Sequence, residues 1–213
     1  MSGLDTLMAK PFENALRNTL DEKMVLKVEG KILEKYGITI SEAIMDFQKL
    51  DGVLKELLGA KTDSIEKEVI GKIVMLEHGS EGERGWITIE DAALAMVILE
   101  SVGDNDKKNI LNSVLDRPLI ISDILEMVHM SQTSGYRKVN ALIQGGMLIP
   151  HGFVAMDDGK RVTRYRSVFE NIIIILEKNK LIIRVQPAME AVARSSVLQS
   201  VGHWFRCGPI SCI

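Results

Sequence analysis

Two groups of side chains in this 213-residue chain have types and spacing that suit contact with a polyanion. The first is the run Gln132, Thr133, Ser134, Tyr136, Arg137, Lys138 and Asn140. The second is Lys160, Arg161, Arg164 and Arg166, four cations within seven residues. Arginine pairs in bidentate fashion with guanine, asparagine with adenine, and hydroxyls bond phosphate oxygens. Cations on a strand neutralise phosphates and make binding depend on salt. Each group also has a plainer reading. Arg137-Lys138 is an ordinary solvated pair on many helices, and Lys or Arg on an edge strand blocks unwanted sheet pairing.

Charge is distributed unevenly around these residues. The chain carries a formal net charge of −3, yet residues 130–186 hold nine Lys/Arg against four Asp/Glu, and residues 79–129 hold four against ten. A basic segment in an acidic chain points to an anionic partner. Apolar residues make up 46% and charged residues 26%, as expected of a chain that buries a core. The longest apolar runs fall well short of the ~18 residues of a membrane helix. The start has no basic and then apolar signal-like stretch. Cys207 and Cys212 both lie in the last seven residues and cannot frame a disulfide scaffold. A cytoplasmic protein without membrane contact is expected.

The elements that must position the two groups follow from periodicity. From about Glu13 to Gly79 the spacing is helical. Val25, Val28, Ile32 and Tyr36 form one stripe, closed by Gly37. Thr39 and Glu42 fit a capping box, opening a second helix with Ile44, Phe47, Leu50, Leu54 and Leu57. Asp63 is placed to cap a third, with Ile65, Val69, Ile73 and Leu76. "GSEGERG" reads as a linker. A fourth helix is expected from near Thr88 to Gly103, a fifth capped by Asp104, and a break at Pro118. A short sixth holds Ile124, Leu125 and Val128. A seventh runs from about Thr133 to Gln144, with Val139 and Leu142 inward.

The period then changes to that of strands. "MLIPHGFVA" and "RVTRYRSVF" flank an Asp-Gly turn signal, and "IIIIL" and "LIIRV" flank Asn179. A last helix is expected from Pro187 to about Gln199. The fold class is thus mainly α with a smaller β part. Its units would be a helical region at 1–78, a linker at 79–87, a winged helix-turn-helix with two hairpins at 88–186, and a C-terminal helix and tail at 187–213.

Short helices followed by a hairpin suit double-stranded DNA. One helix (about 133–144) enters the major groove and the wing (about 150–169) reaches the backbone. A homodimer would place two such helices in successive grooves ~34 Å apart, with its interface at 88–115 or in the N-terminal region. The first region would then sense a signal or meet a partner such as the transcription machinery. A protein-binding module without DNA contact is the competing reading.

"SQTSGYRKVNALIQGGML", residues 131–148, resembles the recognition segment of the ArsR-like winged-helix repressors, and "GKRVTRYRSVFENIIIIL" is similar to archaeal members with a two-hairpin ending. The resemblance implies a DNA-binding transcriptional regulator. It departs at Gly135, where the family packs an apolar residue, and in "SDILEMVHM", which lacks the Cys-x-Cys pair of metal-sensing members. Residues 12–60, through "FENAL", "LEKYGI" and "DFQKLDGVLKELLG", resemble the Nitrosopumilus output domain, which implies an archaeal regulatory setting and no active site.

No catalytic or cofactor set is read. The phosphate-loop, dinucleotide, nucleophile-elbow and zinc-protease motifs are absent. Asp104-Asn105-Asp106 lacks the glycine and the twelfth ligand of a calcium loop. His203, Cys207 and Cys212 give three candidate ligands where closed zinc sites take four, and His78, His129 and His151 are isolated. Glu66/Glu68 and Asp157/Asp158 read as surface pairs with nothing beside them to shift a pKa. No metal and no cofactor are expected.

Overall fold

The computed structural model describes residues 2–77, 85–156 and 159–200. The chain opens with α1 (Gly3–Thr19), and eleven of its seventeen residues are buried. Apolar positions surround so much of this helix that they form no single stripe, and Pro11 lies inside it. Periodicity therefore recognised helix only from Glu13 onward. α2 (Glu22–Tyr36) buries Val25, Val28 and Ile32 and ends at Gly37 in the left-handed conformation, as its spacing requires. α3 (Ile40–Met45) starts from the Thr39/Glu42 capping box. The expected second helix is two: the backbone breaks at Asp46 before α4 (Phe47–Leu58). The amide freed there donates to Ser196 Oγ at 3.1 Å. Phe47 packs edge-on to Phe12, with ring centroids 5.3 Å apart.

α5 (Thr62–Gly71) ends earlier than its apolar period suggests. Ile73 and Leu76 do not continue the helix, because Val74–Glu77 forms β1. β2 (Trp86–Ile89) takes residues expected to lie in the linker and at a helix start. Asp91 then caps α6 (Ala92–Gly103), accepting from the Leu94 amide at 2.7 Å. Asp104 caps α7 (Asn105–Ser113). After Pro118 come β3 (Leu119–Ile120), α8 (Ile121–Met127) and α9 (Gln132–Gln144). β4 (Leu148–Ala155) with β5 (Arg161–Ser167), and β6 (Phe169–Glu177) with β7 (Lys180–Pro187), form the two hairpins. The second turns at Lys178 and Asn179, with φ of 47° and 63°. The expected final helix is again two, α10 (Met189–Arg194) and α11 (Ser196–Ser200), separated at Ser195.

The chain is mostly helical, with a smaller strand part in two antiparallel sheets of order β1-β2-β7-β6 and β3-β5-β4. The first sheet crosses the boundary expected between 78 and 88. Ile87 and Ile89 pair with Val185 and Ile183, so Trp86 and Ile87, at the end of the segment read as a linker, belong to a strand. Leu4, Phe12, Phe47, Ile98, Val139, Val185 and Leu198 all belong to one continuous core cluster. Described residues from 2–77, 87–186 and 187–200 thus contribute to one interior.

Two contacts of α1 bind these segments together. The buried Asp5 carboxylate accepts from Ser196 N at 2.8 Å, Ser196 Oγ at 2.9 Å, Val197 N at 3.4 Å and the Ser195 hydroxyl. It therefore satisfies the free amides at the start of α11. At its first residue, Gly3 lies against the turn after α9. A Cβ on Gly3 would stand 2.5 Å from the Gly146 carbonyl oxygen, and one on Gly146, where φ is +74°, would stand 2.4 Å from that of Gly3. Only two glycines permit this backbone approach.

Asp5→Ala leaves several buried donors without an acceptor and should lower unfolding free energy by about 2–4 kcal/mol. Urea denaturation of the full chain measures it, and a loss within error of zero would refute the role given to Asp5. Gly146→Ala should cost a similar amount, through strain and a backbone clash that no rotamer relieves.

Candidate nucleic-acid interface

α9 carries the first group of candidate residues. Its inward side is fixed by Gly135, Val139 and Leu142, all buried. Gly135 allows α8 to close on α9, since a Cβ there would lie 2.3 Å from Leu125 Cδ2. The apolar filling expected at this position is supplied by Leu125 from the neighbouring helix.

The outward side is a continuous polar stripe. Gln132, Thr133, Tyr136, Arg137, Asn140, Ala141 and Gln144 are exposed and recur at the spacing of one helical face. No carboxylate belongs to this stripe. Arg137 makes no ion pair among the described residues. Ser131 occupies the N-cap position without a side-chain hydrogen bond, so the first amides of α9 point out of the helix unclaimed by that hydroxyl. Ser134 is half-buried, between the two sides.

Lys138 departs from its expected place. Its side chain is only 16% exposed and its ammonium meets Asp104 Oδ2 at 2.6 Å and Asp106 Oδ2 at 3.1 Å. The hydrogen bond holds the Lys138 ammonium above its ordinary pKa and Asp104 below the usual carboxylate range. Lys138 therefore fastens α9 to the start of α7, and its charge is neutralised there. The acidic helix cap and the basic helix, distant in sequence, are neighbours in the fold.

The second group is divided by the pleat of β5. Alternation places Arg161 on one side of the sheet and Arg164 and Arg166 on the other. Arg161 is exposed and stacks on the Phe153 ring, 4.6 Å from its centroid. Lys160, beside it, is also exposed. Arg166 is half-buried, 3.8 Å from Glu190 Oε1 on α10 and 4.0 Å from Glu170 Oε1. Arg164 is half-buried as well, next to Gly152, with its Nε buried and lacking a hydrogen-bond partner among the described residues. The expected outward set of four cations is thus Lys160 and Arg161 at the hairpin tip, while Arg164 and Arg166 are drawn toward the body of the protein. The tip also exposes Phe153, Val154 and Met156.

No group of three or more His, Cys, Asp or Glu able to hold a metal exists among the described residues. His78, His203, Cys207, Cys212, Asp157 and Asp158 lie outside them. No helix among the described residues is long and apolar enough to cross a membrane.

One titratable residue differs sharply from its expected surface place. Glu66 is 4% exposed on the buried side of α5 with Thr62 and Val69, and its Oε1 has no hydrogen-bond partner among the described residues. Burial, and then the nearby Asp51 carboxylate, push its pKa up to about 8. The signal was present in sequence: Glu66 falls on the apolar stripe, four residues after Thr62 and three before Val69.

No protein-family model, curated protein or solved structure matches the chain.

The folded pKa of Glu66 lies above its ordinary value near 4.5. Stability from the protonated group is complete below that value and is lost as pH rises through about 8. Glu66→Gln should flatten this loss between pH 5 and pH 9, read as the difference in urea midpoint between the two proteins. Parallel pH profiles would show that Glu66 is ionised in the fold.

Proposed function

We propose that this chain is a cytoplasmic DNA-binding transcriptional regulator that reads double-stranded DNA with α9 in the major groove and the β4–β5 hairpin beside it, as a winged helix-turn-helix of the ArsR-like type. The observation that carries the reading is the exposed, carboxylate-free polar stripe of α9. Arg137 and Asn140 are the residues for base edges. Tyr136, Thr133 and Gln132, with the first amides of the helix, suit phosphate oxygens. Lys160 and Arg161 at the hairpin tip supply backbone contact. Lys138 and Arg166 have a positioning role, because their charges are already compensated within the chain. The N-terminal helices receive a signal or a partner.

A second reading is supported by separate observations. Phe153, Val154 and Met156 are exposed at the hairpin tip, and Asp104 and Asp106 flank α9. These suit a protein partner better than a phosphate backbone. Salt separates the readings.

Binding of random duplex DNA should weaken steeply as salt rises. Arg137→Ala and Arg161→Ala should each lower the salt slope by about one unit, while Lys138→Ala and Arg166→Ala should leave it nearly unchanged. Arg137→Ala should also relax sequence preference among selected duplexes. Absent or salt-independent binding would remove DNA and favour the protein-binding reading.

A further inference from the structure

The second hairpin presents an apolar edge that the DNA reading does not use. β6 is the last strand of its sheet, and among the described residues no strand pairs with its outer side. Ile173, Ile174, Ile175 and Leu176 are all exposed, Leu176 at 74%, and Leu181 follows on β7. Five consecutive aliphatic residues, Ile172 to Leu176, on an open edge form a ready template for strand pairing.

The turn fixes which backbone groups are free. The two-residue turn at Lys178 and Asn179, both with positive φ, makes Glu177 and Lys180 the hydrogen-bonded closing pair. By alternation, Ile175 and Ile173 also direct their amides and carbonyls at β7. Ile172, Ile174 and Leu176 direct theirs at the open edge.

We infer that β6 pairs antiparallel with β6 of a second copy about a two-fold axis at Ile174, joining two four-stranded sheets into one. In this register Ile174 meets its own counterpart, Ile172 lies opposite Leu176 of the second copy, and Ile173 opposite its Ile175. It is the register that lays the whole 172–176 run on itself while using the free backbone groups on both strands. It also brings the bulge at Glu170 alongside the Lys178 turn of the second copy, so that an acidic and a basic side chain neighbour each other at both ends of the paired run. A shift of two residues either way leaves part of the run uncovered and sets Glu170 or Glu177 against an aliphatic neighbour. The occupant with this length, hydropathy and charge order is the strand itself, and a closed two-fold pair leaves no free β6 edge for further growth.

Sedimentation equilibrium of the full chain should give twice the 23.7 kDa chain mass. Ile174→Lys places like charges directly opposite at the axis and should raise the dimer dissociation constant about tenfold or more. Glu170→Lys should weaken the dimer, and adding Lys178→Glu should restore it, since the swap rebuilds both cross-axis pairs. Glu170 also approaches Arg166 at 4.0 Å, so thermal melting of each variant separates misfolding from dissociation. A monomer at every concentration tested overturns the inference. So does a dimer that survives Ile174→Lys, or a charge swap that fails to rescue a folded Glu170→Lys chain. None of these outcomes depends on whether DNA binds.

Discussion

The structure depends on α1 holding two distant parts of the chain at once. Its Asp5 carboxylate receives the amides and hydroxyls at the start of α11, and its first residue abuts the turn that leaves α9. A buried carboxylate is costly unless donors surround it, so the loop before α11 and α1 stabilise each other. Since α10 and α11 directly follow β7, and β7 pairs with β2, the same contact limits where the first sheet lies. The orientation of α9 is therefore set partly by residues more than a hundred positions earlier.

This arrangement explains which parts of the fold could be read from the sequence. Gly37, the Thr39/Glu42 capping box, Asp104, Pro118 and Asn179 act on backbone groups within a few residues of themselves. Local chemistry decides them, and the helix ends, break and turn they set lie where expected, whereas Asp91, expected inside a helix that begins near Thr88, is the cap of one that begins at Ala92. β1 falls where the periodicity predicts the end of a helix and β2 where it predicts a linker and a helix start, because each has only four residues; β1 pairs with β2, and β2 is anchored by β7, more than ninety residues later. Local propensity cannot report a partner at that distance. The splits at Asp46 and Ser195 have the same origin. The Phe47 amide released at the first is satisfied by Ser196, and the Ser195 hydroxyl at the second by Asp5.

The candidate interface follows the same division. Helical spacing alone separated Val139 and Leu142 from Tyr136, Arg137 and Asn140, and those sides are found as expected. What spacing could not give was the state of each charge. Lys138 looks equivalent to Arg137 in sequence, yet one helical step of 100° brings it over the Asp104 cap of α7. Arg161 and Arg166 look equivalent along β5, yet an odd separation puts them on opposite sides of a sheet, one side facing Glu190. Counting cations in a basic segment overstates the charge that a partner meets, because the acidic segment preceding it folds against it.

That neutralisation has a mechanical consequence. A helix whose cations were all free would repel itself and be oriented mainly by its apolar side. Here an ion pair on one flank and the Gly135–Leu125 contact beneath fix both the rotation and the depth of α9 on α7 and α8. Orientation within a fraction of a helical step is what discriminates bases, since a bidentate arginine contact tolerates little displacement. Nonspecific attraction to phosphate tolerates much more and grows with the number of free cations. On the proposed reading, few free charges on a firmly held helix suit selective contact with DNA rather than general adhesion. The same logic applies to the β6 edge, where one register alone matches backbone, aliphatic run and charge.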